Sequence, residues 1–294
     1  MKKIKVVIVG NCQARPIAEI LPNLNSNIEV SNIAIVHLLK NDQFNEYEKD
    51  FIGADYIITQ LIADNYPCEF MRSTFLQSRY GKKVITIINL FYSGYTPDWR
   101  YVRIPGKGTL KGPMSDYHNQ TIIDSWLKGL STDETLSLVL DRNYNIDKYS
   151  SVVNSSLIEL KKRELNADVK IVDYIEKKMY SERLFFTFNH PCISLIYEYV
   201  MRVLMFLRID FEVDESYVPK ESLNQLIPIL NSGLDFNFHQ EEFYKGVKLV
   251  SLDGSSVIMG KTQKYNLNEL IVAFYKVYDV NSGLIKSRFP NAIL

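Results

Sequence analysis

The stretch Ile4-Lys5-Val6-Val7-Ile8-Val9-Gly10-Asn11-Cys12-Gln13-Ala14-Arg15-Pro16 decides how the rest of the chain is read. Ile4–Val9 is dominated by β-branched side chains and reads as a strand. Apolar residues on both of its faces predict a parallel sheet covered by helices. Pro16 suits the first turn of a helix, which Pro22 is expected to stop after Leu21. Cys12 therefore falls on the turn between strand and helix, and in open α/β sheets ligands bind at the carboxyl ends of the strands. A thiol there is expected to gain thiolate character from the free N–H groups of the helix. Those groups, with the amides of Asn11 and Gln13, could hold an oxyanion or a phosphate. The alternative is a small, inert buried cysteine. Cys68, after Tyr66-Pro67, and Cys192, on an apolar helix, fit that alternative better.

Outward from this turn, Ile33–Val36, Tyr56–Thr59 and Val84–Ile88 read as further strands, and Cys68–Tyr80 as a helix. The pattern predicts an α/β fold, a mainly parallel sheet with flanking helices followed by a largely helical C-terminal half. From Phe91 to Pro113 regularity is lost, and Tyr92, Tyr95, Trp99 and Tyr101 mix with glycines and prolines. So long an irregular stretch is usually functional or mobile; its aromatics could close over the crevice or simply hold the loop down. Ser115 or Asp116 is expected to cap a helix to about Leu130, and Ser131 with Glu134 forms a capping-box pattern. Asp147–Tyr180 reads as largely helical. Leu184–Phe188 returns to strand character, with a helix to about Leu207 after it. Val247–Leu252 and Ser255–Met259 around Asp253-Gly254 give a hairpin signal, and Leu267–Tyr278 a last amphipathic helix. Without a clear linker, residues 1–294 read as one catalytic unit: an α/β half over 1–130 with the nucleophile turn, and a helical half over 131–294 that returns a strand and His190.

The whole chain is 294 residues, 46% hydrophobic and 23% charged, with 34 Lys+Arg against 34 Asp+Glu. Zero net charge argues against a nucleic-acid binder with a broad basic face. The three cysteines form no CxxC pair, so neither a zinc site nor a disulfide framework is suggested. A reducing, cytoplasmic compartment is expected. Met1-Lys2-Lys3 before an apolar run resembles a leader, but that run is only about six residues long and Asn11 precedes Cys12, so it reads as a strand. No apolar run approaches the roughly 20 residues of a transmembrane helix.

Two further places could carry chemistry. His190, in Phe188-Asn189-His190-Pro191, follows a strand and precedes a helix, where a neutral imidazole could act as a general base. Asp116-Tyr117-His118 follows the Gly/Pro-rich loop, and its three side chains cannot all face one point on a helix. Lys107 and Lys111, in Pro105–Pro113, lack a Walker A spacing but could reach the phosphates of a cofactor.

Taken in order, Gly10-Asn11-Cys12-Gln13, Gly94-Tyr95-Thr96-Pro97-Asp98, Gly112-Pro113-Met114-Ser115-Asp116-Tyr117-His118 and Phe188-Asn189-His190-Pro191 resemble the WcbI-like polysaccharide biosynthesis proteins. These are read as acetyltransferases of capsule and surface-glycan assembly that bind coenzyme A. The likeness spans residues 10–191 and fades after about 210. It implies an acyl-CoA donor, acetyl-CoA, and a sugar hydroxyl acceptor, with no metal, and the protein could associate with glycan-assembly enzymes. It also places Cys12, Asp116, His118 and His190 around one pocket. On this reading Cys12 is the nucleophile or lies against the thioester, His190 or His118 is the base, and Asp116 orients the imidazole. Gly10, Asn11, Gln13, Arg15, Lys107, Lys111 and Tyr117 are the candidate coenzyme A contacts. Gln60, Tyr95, Asp98, Trp99 and Asn189 are the candidate contacts of the sugar. The nucleophile position is also similar to that of SGNH-type esterases with cysteine for serine, although their Gly-Asp-Ser and Asp-x-x-His blocks are absent. A cysteine-dependent carbohydrate esterase and a non-catalytic sugar- or coenzyme A-binding module are the alternatives.

Overall fold

Strands and helices alternate through the first ninety residues, as the apolar patterning requires. A computed structural model describes residues 3–214, 216–253 and 256–289. It contains β1 (Ile4–Gly10), α1 (Ala14–Leu24), β2 (Ile28–Ile35), α2 (Phe44–Gly53), β3 (Tyr56–Gln60), α3 (Ser73–Tyr80) and β4 (Val84–Ile87). The strands form one sheet in the order β2-β1-β3-β4, every pairing parallel. Residues Val6 to Gly10 of β1 and all of β4 are buried, which fits a sheet covered on both faces. Pro22 does not stop α1. It lies in the last turn, where its missing N–H removes one hydrogen bond, and the helix runs on to Leu24 with Asn25 closing onto the Leu21 carbonyl. The helix expected over Cys68–Tyr80 is a short 3₁₀ turn, Glu69–Met71, followed by α3. Cys68 is buried with Phe51, Phe70 and Leu76 in an apolar cluster, as an inert cysteine would be.

The fold divides into two compact units, and the division does not fall at residue 130. The first unit comprises Met1–Phe91, Leu157–Met179 and Asn189–Leu223; the second comprises Tyr92–Ser156, Tyr180–Phe188 and Asn224–Leu294. In the first, the apolar helix Ile193–Leu207 packs against α1. Its Tyr199 hydroxyl accepts from the Ile88 N–H and donates to the Val169 carbonyl, and Asp168 accepts from the Thr86 N–H and hydroxyl. These bonds fix the carboxyl end of β4.

The second unit is mainly helical: Gln120–Leu127, Thr132–Leu140, Arg142–Tyr149, Leu267–Val280 and Ser282–Arg288, beside the antiparallel hairpin Tyr244–Asp253 and Ser256–Tyr265. The Ser131–Glu134 capping box is formed. Gly254 and Ser255 of the expected hairpin turn lie outside the described residues. The irregular stretch 91–113 contains short strands, Trp99–Tyr101 paired with Tyr117–Asn119 and Arg103–Ile104 paired with Gly108–Thr109. His118 is thus on a strand, and Asn119 rather than Ser115 or Asp116 caps the next helix by accepting from the Ile122 N–H. Phe185–Thr187 is a strand, but not of the four-stranded sheet. Among the described residues no helix is long and apolar enough to cross a membrane.

Candidate functional site

In the first unit the turn after β1 is built by amide side chains. Gly10 is buried, and a Cβ there would sit 2.9 Å from the Gln60 Oε1, so only glycine lets Gln60 reach the turn. That oxygen accepts from the Asn11 N–H at 2.9 Å, and the Gln60 Nε2 donates to the Gln13 Oε1 at 2.9 Å. The Gln13 Oε1 also accepts from the Leu90 N–H, and its Nε2 donates to the carbonyls of Leu90 and Asn189, at 2.8 and 2.9 Å. The Asn11 Oδ1 accepts from the Gln13 N–H, and its Nδ2 donates to the Asn89 Oδ1 at 3.0 Å.

Several expectations change here. Gln13 and Gln60, read as ligand contacts, are 1% and 4% exposed and their amides are spent inside the protein. They shape the turn. The N–H groups of Asn11 and Gln13, expected to hold an oxyanion, already have side-chain acceptors. Cys12 does not show the expected thiolate character. Burial pushes its thiol pKa up, outweighing the Cys12 and Gln13 N–H groups and the nearby charge of Arg15, because α1 starts two residues further on at Ala14. Arg15 itself is exposed on the first turn of α1.

His190 lies in the short strand His190–Pro191, and Cys192 holds the N-cap position of the helix Ile193–Leu207. Burial lowers the imidazole pKa to about 4, so it is neutral at physiological pH. Through Asn189, its neighbour in the chain, this segment is hydrogen-bonded to the Gln13 side chain. Cys12, Asn11, Asn89, Asn189 and His190 are all partly exposed around this network. Sequence reasoning missed two contributors. Asn89 supplies the amide that holds Asn11. Arg163 donates to the carbonyls of Asn89 at 3.0 Å and Phe91 at 2.9 Å. The signal for Asn89 was its place just past β4, the position that Cys12 holds past β1.

The candidates of the second unit are mostly interior. The His118 imidazole is fully buried; its Nε2 donates to the Leu110 carbonyl at 3.0 Å, and its Nδ1 is 3.1 Å from the Tyr278 hydroxyl, from which it accepts. Burial lowers its pKa to about 4. Asp116 does not orient that ring; its carboxylate pairs with Lys111 at 2.5 Å. Tyr117 is buried against Tyr101 and Phe188 and accepts from the Thr187 hydroxyl. Tyr95 and Trp99, expected to meet a sugar, are 1% and 5% exposed. Gly94 permits this packing, since a Cβ there would overlap the Tyr92 hydroxyl. Asp98 is buried, its carboxyl held by Asn119 and Asn231, and burial raises its pKa to about 6. Lys107, at the tip of the hairpin Arg103–Thr109, is exposed, and Lys111 and Asp116 are half-buried.

Comparison with known proteins now decides the family. The family model of the polysaccharide biosynthesis enzyme WcbI matches residues 5–212. The chain belongs to the WcbI family. A solved structure of a WcbI protein shares the fold with a TM-score of 0.76 at 18% identity, over 99% of this chain and 96% of that one. That protein is described as a novel polysaccharide biosynthesis enzyme, in its native form without a disulfide bond between coenzyme A and a cysteine. No curated protein matches. The WcbI match covers the whole Cys12 network, from β1 through the helix that follows His190.

Proposed function

We propose that the chain is a coenzyme A-dependent O-acyltransferase that moves an acetyl group onto a sugar hydroxyl in capsular or surface polysaccharide biosynthesis. The observation that carries this reading is the Gln13 side chain, which ties the His190 segment to the turn bearing Cys12. The description of the similar structure names coenzyme A together with a cysteine, and Cys12 is our candidate for that pairing here. An acyl-CoA donor also points to action in the cytoplasm.

Burial keeps the Cys12 thiol protonated at neutral pH, so as a nucleophile it needs a base. His190, held neutral, accepts the thiol proton as Sγ attacks the thioester carbonyl, and returns it to the departing coenzyme A sulfur. His190 then accepts the proton of the sugar hydroxyl as that oxygen attacks the acetyl-cysteine, and Cys12 leaves as the thiol. Asn11 and Asn89 line the same turn with amides able to meet polar groups of donor or acceptor. Intact mass spectrometry with acetyl-CoA tests the route: the native enzyme is expected to gain one acetyl group and Cys12→Ser none. Product formation by Cys12→Ser would assign direct attack of the hydroxyl on the thioester. Absence of coenzyme A binding at millimolar ligand in calorimetry would remove the reading altogether, and acetate release without a sugar would favour the esterase.

A further inference from the structure

The motif tyrosine Tyr95 is buried, and what it supports is a different surface. Its ring meets Phe236 edge-on at 4.8 Å and Phe238 at 5.7 Å, and its hydroxyl donates to the Glu182 carbonyl. Phe236 in turn stacks on Phe238 at 5.5 Å and on Tyr180 at 5.9 Å, with interplanar angles of 30° and 26°. Tyr180, the outermost ring of this row, is 51% exposed. The Asn237 N–H donates to the Tyr180 carbonyl, which clips the loop to the aromatic row.

Beside these rings is a cavity of about 420 Å³ lined by Tyr180, Leu234, Asp235, Phe236, Asn237 and Gln240. Its size falls within the roughly 300–1,000 Å³ of small-ligand sites. We propose that this cavity is a glycan subsite that takes an uncharged sugar ring, a reading that rests on the proposed sugar acceptor. A pyranose presents a face of C–H groups, which suits an exposed aromatic ring, and an equator of hydroxyls, which suits amides and a carboxylate. Asn237 and Gln240 are exposed amides on the lining, each able to donate and accept. The one charged lining residue, Asp235, is neutralised by Arg142, which also donates to the Ser232 carbonyl. The lining therefore offers no cation for a uronic acid, a sulfate or a phosphate, and the subsite selects neutral sugars.

The test titrates neutral tetrasaccharides of gluco, galacto, manno and N-acetylglucosamine configuration, and uronic-acid tetrasaccharides, into the whole protein, followed by saturation-transfer NMR. Tyr180→Ala and Asn237→Ala change exposed side chains, and an unaltered melting temperature confirms that they fold. At least one neutral oligosaccharide is expected to bind, with affinity lowered about ten-fold in Tyr180→Ala, the loss of roughly one stacking contact, while coenzyme A affinity is unchanged. Equal sugar affinity in Tyr180→Ala, tighter binding of the uronic acids, or no oligosaccharide binding by a protein that binds coenzyme A would each overturn the subsite. Sugar binding that depends on Tyr180 in a protein that ignores coenzyme A would keep the subsite and remove the acyltransferase.

Discussion

The turn at 10–13 and the segment 94–119 carry similarly conspicuous residues and use them in opposite ways. At the turn, buried amides are satisfied by one another and by backbone, which leaves a cysteine, two asparagines and a histidine segment partly open to solvent. In 94–119 the rings and titratable groups themselves are the interior: Tyr95, Trp99, Tyr117 and His118 all lie within the second unit's core. Both histidines have pKa values lowered to about 4 by burial. The lowered pKa is therefore common to the two rings, and what separates them is exposure: His118 is fully buried and His190 is partly open.

Mutating the two histidines is the strongest way to break this contrast. His190→Ala is expected to lower transfer by about 10²–10⁴-fold with little change in melting temperature, the usual cost of losing a general base. His118→Ala is expected to cost about 2–4 kcal/mol of stability in urea unfolding, because it opens a cavity and strands the Leu110 carbonyl and Tyr278 hydroxyl. Turnover per folded molecule is expected to hold. Reversal of these two effects would move the base into the second unit.

The sheet was legible because strong apolar runs bounded by glycine and polar residues leave little choice of period, and the Cys12 turn followed from it. The interior role of 94–119 was not legible. Its glycines and prolines have the composition of a mobile loop, whereas the structure uses Gly94 to admit Tyr92 and positive φ at Gly106 and Gly108 to turn the short hairpin. The internal bonding of Gln13 was not legible for another reason. Its partners Leu90 and Asn189 are remote in the chain, and local spacing carries no trace of them.

Asp98 sharpens the comparison through pH. Its folded pKa is raised to about 6 from 3.8, so the charged form is penalised in the folded state. The penalty is absent below the unfolded pKa and complete above about pH 6, and amounts to about 3 kcal/mol. Relative to the native protein, Asp98→Asn should therefore be about 2 kcal/mol more stabilising at pH 7 than at pH 4. Parallel urea unfolding at the two pH values measures this, and a constant difference would mean that Asp98 is charged in the fold throughout. The smallest effect is expected at the surface of the second unit. Ser131→Ala removes a capping-box donor and acceptor and should lower stability by about 1 kcal/mol in the same measurement, with transfer unchanged.

The bond from Gln13 to the Asn189 carbonyl spans 176 residues. A chain emerging from the ribosome at about 5–20 residues per second leaves Gln13 waiting roughly 10–35 seconds for that partner. Until then the turn's buried amide lacks one acceptor, and the first unit lacks its helix Ile193–Leu207. Nascent chains shorter than this are consequently expected to expose the apolar face of α1 and to depend on chaperones, and a nonsense product ending before Asn189 keeps a Cys12 turn with one buried amide donor short of its carbonyl partner.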